Sequence, residues 1–106
     1  MGRSIIKLSK DDRDFYMEYS SVVDAPVTYG MNLDQFTKYY ASRYGTAAME
    51  FEFPDRMGRV EEKGTSSFMY ASVREEISFN RAGPNESCIT MDQFIELYCL
   101  NNTDEV

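Results

Sequence analysis

Two stretches of this chain carry the same helix-starting device, and they are its clearest local signals. In Asn32-Leu33-Asp34-Gln35-Phe36, a capping residue stands three positions before Gln35, so each side chain reaches the other's backbone amide. Met31 and Phe36 flank the box as a hydrophobic staple. The pattern predicts a helix through Leu33, Phe36, Tyr40 and Tyr44 that stops at Gly45, a residue suited to a left-handed terminus. Thr90-Met91-Asp92-Gln93-Phe94 repeats the device, with Ile89 and Phe94 as the staple. Here Met91, Phe94, Ile95, Tyr98 and Cys99 fall on one helical face. The shared text fits a duplicated half-domain or two independent helix starts under the same physics, and two copies are too few for a solenoid.

The remaining chain reads more weakly. Ile5–Leu8 predicts a short strand, and the aromatic-rich run Phe15–Ser20 a second, with polar residues 9–14 turning between them. A helix capped at Ser9 competes with this N-terminal β-hairpin, which the strand propensities favour. Val22–Gly30 is irregular, with Pro26 holding Ala25 extended. Met49, Phe51 and Phe53 alternate with Glu50 and Glu52, which fits an exposed or edge strand over 47–53, or a loop. Pro54–Lys63 predicts a short helix ended by Gly64, with Met57 and Val60 inward and Gly58 weakening it by about 1 kcal/mol relative to Ala. Ser72-Val73-Arg74-Glu75 is a third capping box, opening a helix through Ile77 toward the stop at Ala82-Gly83-Pro84. The expected architecture is α+β: an N-terminal β-hairpin or small antiparallel sheet packed against three or four short helices, in one domain over 1–106. A chain of 106 residues buries roughly 60–70% of its unfolded surface, enough for one modest core.

Composition narrows the chemistry. The net charge is −7, and no segment gathers Lys and Arg free of interleaved acids. That disfavours direct nucleic-acid binding, which rests on cations displacing counterions, and attachment to an anionic membrane. With two Cys and no His, a zinc site is nearly excluded and a His-based nucleophile triad is excluded. No secretory signal, myristoylation pattern at Gly2 or membrane span is legible, so a cytoplasmic location with reduced thiols is expected and the sequons at Asn85 and Asn101 carry no weight. No cofactor is expected. Cys99 reads as a core residue, and Cys88 lies in a loop with no base nearby. Glu50, Glu52, Asp55, Glu61 and Glu62 crowd one segment, but Arg56 and Arg59 sit among them and the spacing is not that of a calcium loop. A solvated charged face is the plainer reading.

Eight tyrosines are many for this length. Tyr offers a rigid face with a polar tip and is favoured in interface anchors. Tyr39 and Tyr40 cannot both face one core, so Tyr39 is expected to be partly exposed. Tyr29, in the Pro26 loop, is the second candidate. The residues expected at a partner surface are Asp24, Tyr29, Tyr39, Glu50, Glu52, Asp55, Arg56 and Arg59.

The run Tyr19–Met31 (YSSVVDAPVTYGM), with Glu61–Ser67 (EEKGTSS) and Phe79–Pro84 (FNRAGP), resembles a pattern in small uncharacterised proteins encoded by tailed bacteriophages. The resemblance spans most of the chain and implies a phage or prophage origin; it carries no activity of its own. Small acidic phage proteins often act on host machinery, and the resemblance implies a similar role. The leading expectation is a non-catalytic protein-binding module, an inhibitor of a host or anti-phage defence protein with a basic surface. The alternative is a protein that sequesters a nucleotide-like signal, with Arg43, Arg56 and Arg59 on phosphates and Tyr on a base, as an oligomer with sites at subunit boundaries. A virion or assembly component is the third reading.

Overall fold

The computed structural model describes residues 3–100. The Asn101 sequon and Gly2 lie outside the described residues. Strands β1 (Arg3–Lys10) and β2 (Arg13–Ser20) form the expected hairpin, not a helix capped at Ser9. The hairpin closes on Asp11 and Asp12, whose φ values of 53° and 64° give the paired left-handed turn that matches strand twist. Aspartate tolerates that region because its short polar side chain bonds locally. A two-residue strand β3 (Ala25–Pro26) pairs antiparallel with β2, completing the order β1-β2-β3. Pro26 sits where a missing amide costs nothing, on an edge strand.

Both faces of this sheet are covered, which explains the unbroken burial of Phe15–Ser20. A strand buried on both sides cannot show apolar alternation. On one face Ile6, Leu8, Phe15, Met17 and Tyr19 meet Ile77, Phe94, Ile95 and Cys99. These come from helices α3 (Val73–Ile77) and α4 (Met91–Ile95), the latter running on as a π-helical turn, Glu96–Leu100. On the other face Ile5 and Tyr16 meet Phe36, Tyr40 and Val60. These come from α1 (Leu33–Tyr44) and α2 (Phe53–Lys63). The outer edges are also occupied. Segment 64–66 bonds to β1 through Lys7 N–H to Gly64 O at 2.8 Å and Ser66 N–H to Ile5 O at 2.9 Å. The Val22–Gly30 stretch and Met31 run beside β2, with Val27 N–H to Glu18 O at 2.8 Å and Tyr16 N–H to Met31 O at 2.7 Å.

Both duplicated helix starts form complete capping boxes, Asn32 with Gln35 and Thr90 with Gln93. Phe36 and Phe94 are each fully buried, on opposite faces of the sheet. Leu33, expected on the buried face of α1, stays about half exposed. The segment 47–53 is helical, not a strand: Ala48–Glu52 is a π-helical turn continuous with α2. Its Met49 and Phe53, four apart, share the packed side while Phe51 is 76% exposed. Strand geometry would have put all three on one face, and only helical spacing separates Phe51 from the other two. Helix α3 stops at Ile77, well short of Gly83. The buried Asn80 side chain takes over there: its amide donates to the carbonyls of Ile77 (2.7 Å) and Ile89 (2.9 Å), and its oxygen accepts from Ala82 N–H and Ile89 N–H.

All the hydrogen-bonding capacity of Asn80 is spent on backbone groups that have little access to water. Asn80→Ala is therefore expected to cost about 2–4 kcal/mol, since buried donors and acceptors lose their partners, and urea unfolding followed by circular dichroism measures it. An unchanged midpoint would mean that water replaces the amide in full.

Candidate arginine cleft

At the open end of the hairpin, away from the Asp11-Asp12 turn, the sheet face under α1 and α2 is not filled. A cavity of about 490 Å³ is lined there by Arg3, Glu18, Ser20, Val22, Tyr40, Tyr44, Glu52 and Arg56. A smaller cavity of about 210 Å³ adjoins it, sharing Arg3 and Arg56 and adding Arg59, Ser4, Ser66, Ser67 and the loop Phe68–Tyr70. The register explains the convergence. Arg3 pairs with Ser20, and Ile5 with Glu18, so Arg3, Glu18 and Ser20 share the face under α1. Arg56 and Arg59 are three apart on α2, hence neighbours on its surface.

The guanidinium groups differ in how they are held. Arg59 donates from Nε to Ser66 O at 2.7 Å and lies over the Phe68 ring at 4.0 Å, which fixes its plane. Arg56 makes a loose ion pair, Nε to Glu52 Oε1 at 3.8 Å. Arg3 reaches the Tyr44 hydroxyl at 3.5 Å, and that contact, more than any other, holds its pKa above the ordinary value. Each arginine keeps terminal N–H groups for an incoming acceptor.

The carboxylates of the cleft are largely engaged within the protein. Glu18, 1% exposed, accepts from the hydroxyls of Tyr39 (2.5 Å) and Tyr44 (2.6 Å), one on each oxygen. Glu76, 2% exposed, accepts from Ser4 Oγ and Thr65 Oγ1, both at 2.5 Å. Glu52 accepts from the Tyr40 hydroxyl at 3.0 Å through Oε1. Among the described residues no group of three Cys, Asp or Glu side chains gathers closely enough to hold a metal ion.

The residues expected at a partner surface do not form one patch. Arg56 and Arg59 meet in the cleft, with Glu52 on its wall. Glu50 and Asp55 are exposed on the adjoining helical segment. Tyr39 is half-buried, with its hydroxyl turned inward onto Glu18. Tyr29 is half exposed but stacks on Tyr98 at 5.9 Å, and Asp24 accepts from Arg81 N–H at 2.6 Å. Arg43, exposed, lies over Tyr44 and does not line either cavity. Glu61, expected to face water only, pairs with Lys7 at 3.1 Å and accepts from the Tyr16 hydroxyl. Cys99 is buried as expected, and that burial pushes its thiol up to about 12. Sequence reasoning missed Arg3, Glu18 and Glu76. Glu18 had a signal: it is the lone carboxylate inside the apolar run Phe15–Tyr19.

No protein-family model, curated protein or solved structure matches this chain.

Burial raises the tyrosine hydroxyls around the cleft and beneath it. Tyr16 is pushed up to about 12, chiefly by burial and then by its bond to Glu61. Tyr39 and Tyr44 are raised by burial and by Glu18, and Tyr40 by burial against the opposing pull of Arg56. A proton held more tightly in the folded than in the unfolded chain adds stability below the unfolded value and withdraws it as pH climbs toward the folded one. The melting temperature should therefore fall as pH rises from about 10 to about 12, and phenolate absorbance should lag that of the unfolded chain. A flat profile over that window would contradict the tyrosine–carboxylate geometry.

Proposed function

We propose that this chain is a non-catalytic binding domain that holds a phosphorylated small molecule in the arginine cleft. The observation that carries the reading is the convergence of Arg3, Arg56 and Arg59 on one pair of adjoining cavities in a chain of net charge −7. Guanidinium forks match phosphate oxygens in geometry as well as charge. The overall negative charge does not oppose this at contact distance, because exposed charges farther than about 8–10 Å are largely screened at physiological salt. Serine hydroxyls at Ser66 and Ser67 add neutral hydrogen-bonding groups beside the arginines. Larger of the two, the 490 Å³ cavity lies within the usual range of ligand pockets, roughly 300–1,000 Å³.

Calorimetry and thermal melts with phosphorylated small molecules, each paired with its dephosphorylated form, test the reading. Only the phosphorylated members should bind and raise the melting temperature. Arg56→Gln/Arg59→Gln should weaken binding tenfold or more, as charge-assisted hydrogen bonds contribute about 1.5–3 kcal/mol each. Silence across the panel would refute the proposal.

A second reading, the protein-binding module that inhibits a host or defence protein, draws on one observation. Val22, Phe68 and Met69, 79%, 81% and 84% exposed, rim the same cleft. Large apolar side chains exposed together mark surfaces that a protein partner buries. If this reading holds, Phe68→Ser/Met69→Ser should abolish capture of a stoichiometric partner while leaving the unfolding free energy within about 1 kcal/mol of wild type.

A further inference from the structure

We propose that the occupant is a nucleotide lying along the cleft, with its phosphate among Arg3, Arg56 and Arg59 and an amino-bearing base in the wider chamber beside Glu52. This rests on the phosphate reading above and names the ligand class for the same site.

The cleft is asymmetric in size and in charge. Its smaller part, about 210 Å³, adds Arg59, Ser66 and Ser67 to the Arg3 and Arg56 that it shares with the larger part. The one carboxylate on its wall, Glu76, already accepts from Ser4 and Thr65. The wide part, about 490 Å³, is too large for a phosphate alone, and there two carboxylates, Glu18 and Glu52, offset the two shared arginines. A chain of phosphates extending into it would bring like charges into contact, where they are least screened. An inorganic polyphosphate therefore does not suit the whole cleft, whereas a phosphate joined to a neutral, hydrogen-donating ring does.

The two carboxylates divide the work in the wide chamber. Both oxygens of Glu18 are taken by tyrosine hydroxyls. Glu52 uses Oε1 for the Tyr40 hydroxyl and the distant Arg56, and its Oε2 has no partner among the described residues. Its side chain is 53% exposed, so it is free to accept from a ligand. The Tyr44 ring and Val22 supply a partly exposed apolar wall against which a flat ring can lie. An acceptor beside an apolar wall selects a ring that carries an N–H donor at its edge, and rejects one that presents a carbonyl to the carboxylate.

Isothermal titration with pyrophosphate, adenosine monophosphate and inosine monophosphate decides the matter, on the wild type and on Glu52→Gln. The two nucleotides differ at position 6 of the ring, where one carries an amine that donates and the other a carbonyl that accepts. The expected result is that the adenine nucleotide binds at least tenfold more tightly than pyrophosphate and about tenfold more tightly than the inosine nucleotide. Glu52→Gln should narrow or reverse that preference without weakening pyrophosphate binding, since it removes a carboxylate beside Arg56. Its amide oxygen still accepts from Tyr40, so the fold is retained. Equal affinity for the two nucleotides, or pyrophosphate matching both, would overturn the orientation and leave the phosphate reading standing. Binding of none of the three would overturn both.

Discussion

The structure depends on burying one β-hairpin from every direction. Helices α1 and α2 cover one face of β1 and β2 and α3 and α4 the other. Segment 64–66 and the stretch ending at Met31 close the two edges. A two-stranded hairpin is at best marginal in water. Here its backbone groups are paired on both sides and its side chains are packed on both faces, so each flanking element owes its position to the hairpin. The edge pairing also removes the open strand borders that invite aggregation. Gly30 shows how tight this closure is: a Cβ there would stand 2.9 Å from Cys99 Sγ and 3.1 Å from Phe15 Cβ.

Double burial has an electrostatic consequence. The register that places Ile5 and Tyr16 in the core under α1 also drives the neighbouring Glu18 inward. A buried carboxylate is costly unless it is hydrogen-bonded. Tyr39 and Tyr44, on α1, satisfy it, while Ser4 and Thr65 do the same for Glu76 on the far face. The tyrosines that make this chain look rich in interface residues are thus largely consumed inside it. Tyr16 and Tyr40 serve Glu61 and Glu52, and Tyr98 donates to Ala82 O. The Tyr19 hydroxyl, in contrast, is buried with no hydrogen-bond partner among the described residues. With Glu18 and Glu76 satisfied internally, the arginines are the charged groups at the cleft with donors to spare.

Local chemistry decided what the sequence could announce. The capping boxes at Asn32 and Thr90, the terminator Gly64 and the hairpin propensities of Ile5–Leu8 and Phe15–Ser20 each act within a few residues, and each forms as the residues dictate. Gly45 ends α1 as expected and has a positive φ of 91°, but its ψ of 177° is extended, not left-handed helical. The segment 47–53 misleads because its alternation obeys a period of two while Met49 and Phe53 also satisfy a spacing of four. Packing against Phe36 and Tyr40 selects the second, and no local signal ranks them. Tertiary override also ends α3 early, where Asn80 binds backbone groups from three other residues.

By itself the sequence determined the class of fold, the helix starts at Leu33, Val73 and Met91, the burial of Cys99 and the presence of Arg56 and Arg59 on one helix. It also set the chemistry that is missing, since a chain without His lacks that base and metal ligand in any fold. Only the tertiary structure decided that Arg3, near the start of β1, stands beside arginines more than fifty positions away, that Glu18 and Glu76 are interior, and that Tyr39 turns inward. Those facts follow from strand register and from which helix lands on which face. Both are set by the summed burial of distant residues, a quantity no short stretch of sequence contains.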